Sequence, residues 1–84
     1  MHRLEITRKA RQQLERLPSQ ARSRVETAIQ RLAANPRPPG SIKMADMKNG
    51  WRIRVGTYRV IYEVHDDVLV VVIIRVGHRR DVYR

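Results

Sequence analysis

An alternating stretch of apolar and basic residues in the second half of the chain constrains the fold more than any other feature. Residues 51–55 alternate strictly, which predicts a strand with Arg52 and Arg54 on one side. Gly56-Thr57 fits a two-residue turn, and the returning strand would place Arg59 directly opposite Arg54. Like charges facing each other destabilise a sheet. The cluster therefore indicates a bound anion, for which phosphate is the natural candidate.

The predicted elements follow the order strand, helix, helix, strand, strand, strand. Residues 2–6 alternate as a short strand, Thr7 can cap a helix, and a second helix begins at Ser19 and stops before Asn35-Pro36. This order predicts an α+β fold for a single domain over residues 1–84. Its two layers would be an N-terminal strand with a helical hairpin, packed on a mainly antiparallel four-stranded sheet.

The helical hairpin should bury apolar stripes at helical spacing, formed by Ala10, Leu14 and Leu17 on the first helix and Ala21, Val25, Ala28, Ile29 and Leu32 on the second. Prolines and glycines mark residues 35–50 as a connection with at most a short turn of structure. Three apolar residues in it, Ile42, Met44 and Met47, would pin it to the core.

The register of the last strand decides what lies beside the arginines. A strand over residues 68–76, joined by a two-residue turn at Asp66-Asp67, would place Ile74 beside Arg59, with Val72 and Val70 beyond it. In this register Arg75 falls on the helix-covered face. Either it lies at the sheet edge with its charge in solvent, or the register differs by one residue.

The charge balance indicates a polyanionic partner. Eighteen Lys and Arg against eight Asp and Glu give a net charge of +10, which favours nucleic acid, then an acidic protein, then a membrane surface. The absence of cysteine excludes disulfides and fits the cytoplasm. The three histidines lack metal-ligand spacing, so we expect no metal, and the apolar run 68–74 is too short to cross a membrane.

Two blocks of sequence resemble a known family. Residues 51–64, Trp-Arg-Ile-Arg-Val-Gly-Thr-Tyr-Arg-Val-Ile-Tyr-Glu-Val, and residues 76–83, Val-Gly-His-Arg-Arg-Asp-Val-Tyr, resemble the RelE family of the RelE/ParE toxin superfamily. The resemblance implies a toxin of a type II toxin–antitoxin system. RelE toxins bind the ribosomal A site and cut mRNA there. The expected partners are a RelB-like antitoxin, with a heterotetramer as one arrangement to test, and the ribosome with its mRNA.

The resemblance also implies site residues. Arg52 and Arg54 occupy the place of two lysines of well-studied RelE toxins, Arg59 matches the family's Tyr-Arg block, Arg79 follows its Val-Gly pair, and Tyr83 matches its C-terminal tyrosine. The expected catalytic residues are Arg54, Arg59, Arg79 and Tyr83, and the expected substrate-binding residues are Arg52, His78 and Arg80. No cofactor is expected.

These groups suit RNA cleavage by the substrate's own 2′-hydroxyl. Arg59 and Arg79 would neutralise the charge of the transition state, because guanidinium is always protonated and forks onto phosphate oxygens. Arg52 would hold the backbone and Arg54 would lie at the leaving-group side. Arginine cannot act as a base at neutral pH, which leaves Tyr83 or His78 for proton transfer.

Two other functions remain open from the sequence. A ParE-like toxin would inhibit DNA gyrase without nuclease activity, although ParE toxins generally lack the full set of arginines and tyrosine. A non-catalytic RNA-binding module would need only the positive charge.

Overall fold

The computed structural model describes residues 1–78 and contains two helices packed on one face of a sheet. Its elements are β1 (Arg3–Ile6), α1 (Arg8–Glu15), α2 (Ser19–Arg31), β2 (Ile42–Lys43), β3 (Gly50–Val55), β4 (Tyr58–His65) and β5 (Val70–His78). The strand order is β1-β5-β4-β3-β2, with β1 parallel to β5 and the other pairs antiparallel. The α+β, two-layer prediction is confirmed.

The predicted strand number needs a correction. The sheet of the described residues has five strands rather than four, because Ile42 and Lys43 pair with Arg52 and Trp51 at the edge of β3. A two-residue strand is too short to show an alternating pattern. The prolines and glycines of residues 35–50 therefore favoured a connection without a strand.

Both helices form where the sequence predicts them. The Thr7 side chain caps α1 by accepting a hydrogen bond from the backbone N–H of Ala10 at 3.1 Å. Ala10 and Leu14 of α1 and Val25 and Ile29 of α2 are buried against the sheet. The core continues on the strands through Ile53, Val60, Tyr62, Val64, Val71, Ile73 and Val76.

The hairpin of β3 and β4 has the predicted register. Val55 pairs with Tyr58 across a two-residue turn, and Gly56 adopts a left-handed φ of 60° that favours glycine. Arg54 is therefore the direct partner of Arg59. Because side chains alternate across a strand, these arginines lie on the face opposite the helices.

The connection from β4 to β5 is longer than predicted. His65 pairs with Val70, so residues 66–69 form the loop, and Val68 is exposed there instead of starting the strand. Leu69 has a φ of 55°, which is a strained value for a residue with a side chain. The predicted two-residue turn at Asp66-Asp67 is therefore wrong.

A bulge in β5 changes which residues face the arginines. Ile61 pairs with Arg75 but Tyr62 pairs with Ile73, so Ile74 is the extra residue. Gly77, rather than Ile74, is the partner of Arg59. The prediction for Ile74 is wrong, and Arg75 lies on the same face as the arginines of the hairpin.

The segment between α2 and β3 is held by polar contacts as well as apolar ones. The ammonium group of Lys43 donates to the carbonyl oxygens of Met44, Met47 and Gly50 at 3.1, 2.7 and 3.3 Å. Met44 and Met47 are half-buried, but neither is among the residues that pack against the core cluster. Ile42 is 50% exposed, so its predicted role in the core is wrong.

Candidate functional site

Four arginines share the sheet face that the helices leave open. Arg54 pairs with Arg59 across β3 and β4, while Arg52 and Arg75 flank Ile61 on either side. We call the surface formed by Arg52, Arg54, Arg59 and Arg75 the arginine face. Ile61 is only 6% exposed although it points away from the helices, so it forms an apolar floor between two guanidinium side chains.

A groove runs from the arginine face around the free edge of β3. β2 pairs with β3 only at Trp51 and Arg52. Among the described residues, the end of β3 therefore has no neighbouring strand on the side away from β4. The groove has a volume of about 500 Å³ and is lined by Ala28, Arg31, Pro38, Pro39, Gly40, Ile42, Arg52, Ile53, Arg54 and Arg59. We call it the β3-edge groove. Its lining combines four arginines with an apolar wall and contains no acidic residue among the described part of the chain.

The arginines of this groove differ in their exposure. Arg54 is exposed, whereas Arg52 and Arg59 are half-buried, and the Nη1 atom of Arg59 is shielded from solvent. A guanidinium group at a partly buried position interacts more strongly with an anion than one in bulk water, because screening is weaker. Solvent therefore screens the charge of Arg59 less than that of the exposed Arg54.

His78 lies apart from this groove. It is the partner of Tyr58 on the helix-covered face, and the two rings meet edge to face with centroids 5.9 Å apart. It lines a second groove, between α1 and the end of β5. The structure therefore separates His78 from Arg52, Arg54 and Arg59, with which the sequence analysis had grouped it.

Three predicted site residues, Arg79, Arg80 and Tyr83, lie outside the described residues. Their assignments as catalytic or substrate-binding groups stay predictions. His78, at the end of β5, is the last described residue before them.

Two basic residues near the site escaped the sequence reasoning. Arg75 joins the arginine face through the bulge at Ile74, and a single sequence has no reliable signal for a bulge. Arg31 lines the β3-edge groove from the last turn of α2. The helix prediction contained Arg31, but only the packing of α2 on the sheet shows which of its exposed residues lies beside β3.

The opposite end of the sheet carries paired charges. Asp66 accepts hydrogen bonds from Arg37 at 2.7 Å and contacts His2 at 2.9 Å, and Arg37 also lies 5.2 Å from the ring centroid of Trp51. Glu63 contacts His65 at 3.0 Å. We call this region the Asp66 end. The hydrogen bonds from Arg37 and then from His2 hold the pKa of the Asp66 carboxyl below its usual value.

Tyr62 anchors the core at the Asp66 end. Its hydroxyl donates to the backbone carbonyl of Pro36 at 2.6 Å. Burial is the main reason why the pKa of Tyr62 is raised to about 12, because desolvation disfavours the phenolate. Tyr62 is therefore a structural phenol and unsuited to proton transfer at neutral pH.

Within residues 1–78, no three His, Asp or Glu side chains come together as metal ligands, and neither helix is long or apolar enough to cross a membrane.

Comparison with known proteins identifies the family. Residues 4–83 match the family model described as the ParE toxin of the type II toxin–antitoxin system parDE. This match spans nearly the whole chain. The protein belongs to the RelE/ParE toxin superfamily.

Individual members of the RelE/ParE superfamily resemble the chain over most of its length. Toxin RelG of Mycobacterium tuberculosis is 36% identical over 80 residues, which cover 94% of this chain and 92% of RelG. A toxin chain in the RelBE2 toxin–antitoxin complex of the same organism superposes with a TM-score of 0.77 at 31% identity, covering 93% of this chain and 98% of that one.

More distant RelE toxins have the same fold. The archaeal RelE–RelB complex from Pyrococcus horikoshii matches with a TM-score of 0.83 at 27% identity, covering 95% of this chain and 97% of that one. The intact E. coli RelBE complex matches with a TM-score of 0.81 at 25% identity over 93% and 96% of the two chains. The chain is thus a type II toxin of the RelE family.

Proposed function

We propose that the protein is a ribosome-dependent endoribonuclease that cleaves mRNA in the ribosomal A site and so inhibits translation. The observation that carries the proposal is the direct opposition of Arg54 and Arg59, with Arg52 on the same face and Arg31 lining the same groove. Like charges at directly opposed positions of two strands repel each other. Phosphate groups of RNA would relieve that repulsion through paired N–H···O hydrogen bonds.

The proposed reaction needs no metal ion. The 2′-oxygen of one nucleotide attacks the adjacent phosphorus in line, the bond from phosphorus to the 5′-oxygen breaks, and the products are a 2′,3′-cyclic phosphate and a 5′-hydroxyl. The 2′-hydroxyl loses one proton and the 5′-oxygen gains one, so the reaction has no net uptake or release of protons. The protein has to hold this geometry and neutralise the extra negative charge of the transition state.

The roles follow from charge and exposure. Arg59, half-buried beside the β3-edge groove, stabilises the phosphorane charge, and Arg79 of the C-terminal block assists it. Arg52 holds the RNA backbone and Arg54 lies on the leaving-group side. Arg80 contributes a further phosphate contact. Of the two candidates for proton transfer, Tyr83 and His78, we assign Tyr83, because His78 packs against Tyr58 on the other face of the sheet.

The apolar wall of the β3-edge groove suits a nucleotide base. Pro38, Pro39 and Ile42 line the groove together with the arginines, and Ile42 is the cross-strand partner of Arg52. A base that leaves its stack can rest on such a surface while its phosphate stays with the guanidinium groups. Arg31 would then contact a neighbouring phosphate, which makes it a substrate-binding residue.

Primer extension on mRNA after brief induction tests this proposal. Ribosome-dependent cleavage predicts discrete ends within the codons of a translated message and none in the same message without its start codon. Ends that persist without the start codon contradict ribosome dependence. Intact mRNA in growth-arrested cells contradicts nuclease activity.

A ParE-like gyrase inhibitor is the second candidate, because the matching family model carries the ParE name. This function predicts DNA damage with intact mRNA. A non-catalytic RNA-binding module predicts neither damage nor cleavage. The same induction experiment, read on DNA and on mRNA, therefore separates the three functions.

A RelB-like antitoxin is the proposed partner. The E. coli and P. horikoshii relatives are described as toxin–antitoxin complexes, and a net charge of +10 suits an acidic partner. Co-expression of a small protein encoded next to this gene should restore growth and co-purify with the toxin, and size measurement would distinguish a heterodimer from a heterotetramer. Failure of every neighbouring reading frame to restore growth would contradict the partner.

A further inference from the structure

A second basic groove lies at the other edge of the sheet. It has a volume of about 480 Å³ and is lined by Lys9, Gln13, Arg16, Leu17, Pro18, Tyr58, Arg75, Val76, Gly77 and His78. We call it the α1–β5 groove. Like the β3-edge groove, it has no acidic residue among its described lining residues, although it lies on the opposite side of the hairpin.

The groove exists because β5 is longer than its neighbour. β1 pairs with β5 only as far as Ile73, so among residues 1–78 the end of β5 has a neighbouring strand only on the β4 side. The Gln13 side chain of α1 takes the place of a strand by accepting a hydrogen bond from the backbone N–H of Val76 at 2.8 Å. This contact holds α1 beside the strand and leaves a cleft between them.

Two basic residues at the two ends of α1 line this cleft, Lys9 in its first turn and Arg16 at its C-cap. Lys9, Gln13 and Arg16 follow one another at i, i+4 and i+7, which places them on one side of the helix. Lys9 lies in the first turn of α1, which contains no acidic residue. A cation is unfavourable at a helix N-terminus. Lys9 therefore does not stabilise α1 through the helix dipole, and the same holds for Arg8, which lies outside the groove.

Aromatic rings lie beside the basic side chains in the α1–β5 groove. Tyr58 and His78 line it together with Arg75, which also belongs to the arginine face. Basic groups that neutralise phosphates, together with rings on which bases stack, are typical of surfaces that bind single-stranded nucleic acid. An acidic peptide would use the cations but has no group that requires the rings.

We infer that the α1–β5 groove is a second RNA-binding site, in which Lys9, Arg16 and Arg75 contact phosphates and Tyr58 and His78 contact a base. Arg75 connects it to the arginine face, so a single strand can occupy both. The RNA class rests on the proposed function, but the groove binds RNA whether or not the protein cleaves it.

The test is the affinity of the purified protein for a short 2′-O-methyl RNA oligonucleotide, which cannot be cleaved through a 2′-hydroxyl. Lys9→Ala with Arg16→Ala removes two exposed cations, one in the first turn of α1 and one at its C-cap, and alanine is compatible with both positions. Arg8→Ala with Arg11→Ala is the matched control, because it removes the same charge from α1 outside the groove. Circular dichroism checks that both variants fold.

The groove variant should bind RNA at least about tenfold more weakly, and its dependence of log K on log salt should flatten by about 1.4 for two lost phosphate contacts. The control should weaken binding less than about threefold, because it changes only the overall field. Equal losses in the two variants, or no loss in the groove variant, would overturn the site. The site would also be overturned if the groove variant lost binding to poly-glutamate but kept its affinity for RNA. None of these outcomes depends on whether the toxin cuts mRNA.

Discussion

The two ends of the sheet differ in how their charged side chains are arranged. At the Asp66 end, Arg37 and His2 bind one carboxylate and Glu63 contacts His65, so cations meet anions. On the arginine face, Arg54 is the cross-strand partner of Arg59, and Arg31 also lines the adjoining groove. Paired charges add to folding stability, while accumulated like charges reduce it. The difference supports the proposal that the arginine face is a binding surface and that the Asp66 end has a structural role.

Reversing one charge on the arginine face should have the largest effect. Arg54→Glu creates an opposite-charge pair with Arg59 across the strands, which should stabilise the protein by up to about 1 kcal/mol. The same change should lower mRNA cleavage by about 100-fold or more, because it removes a phosphate contact and introduces repulsion. Thermal unfolding and primer extension measure the two effects.

Arg24→Glu is the control for this variant, since Arg24 is exposed on α2 and lies outside the β3-edge groove. It changes the net charge equally and should leave cleavage within a few-fold of the original. Equal loss of activity in both variants would mean that only net charge matters.

Gly50→Ala should have the largest effect on stability at the Asp66 end. A Cβ atom at this position would lie 2.5 Å from the Cβ and 2.8 Å from the Sδ of Met47. Such overpacking costs about 1–3 kcal/mol of unfolding free energy, measured by urea denaturation. Adding Met47→Gly removes the clashing side chain and should recover part of the loss. A single variant as stable as the original would show that the loop moves away at little cost.

Tyr62→Phe should reduce stability moderately. At neutral pH it removes the hydrogen bond to Pro36, which is worth about 1 kcal/mol. Because the pKa of Tyr62 is raised to about 12 by burial, the original protein loses stability as the pH rises from the unfolded value of 10 towards 12. The variant should lack this part of the alkaline loss. Parallel alkaline unfolding curves would contradict the buried phenol.

Asp66→Asn should have the smallest effect. The pKa of Asp66 is lowered by its hydrogen bonds, so its contribution is present above the unfolded value of 3.8 and disappears as the pH falls through the lower folded value. The variant should unfold at slightly lower urea than the original at pH 6, and the gap should close in strong acid. RNA cleavage should stay unchanged. A loss of cleavage in a folded variant would remove the distinction between the two ends.

The sequence predicted the local parts of this structure better than the long-range ones. Thr7 as a cap, the stripes on α1 and α2, and the pairing of Arg54 with Arg59 follow from neighbouring residues, and all three are confirmed. The loop at residues 66–69 and the bulge at Ile74 depend on how β5 fits its neighbours. A shift of one residue exchanges the two faces of a strand, which explains why the sequence left two positions open for Arg75.

The candidate site divides in the same way. The spacing within one hairpin was enough to predict that Arg52, Arg54 and Arg59 share one face of the sheet. Arg31 lies in the same groove because α2 packs beside the edge of β3. His78 lies outside the groove because it pairs with Tyr58. Both outcomes arise from tertiary packing between segments far apart in the chain, for which one sequence has no periodic signal.

The most direct test of the difference between the two ends removes one arginine from each. Arg59→Ala and Arg37→Ala change the net charge equally, and circular dichroism would check that both variants fold. Primer extension on a translated message should show the cuts abolished by Arg59→Ala and retained by Arg37→Ala. Cuts that persist in the Arg59 variant, or that fall equally in both, would contradict the assignment of the arginine face as the catalytic surface.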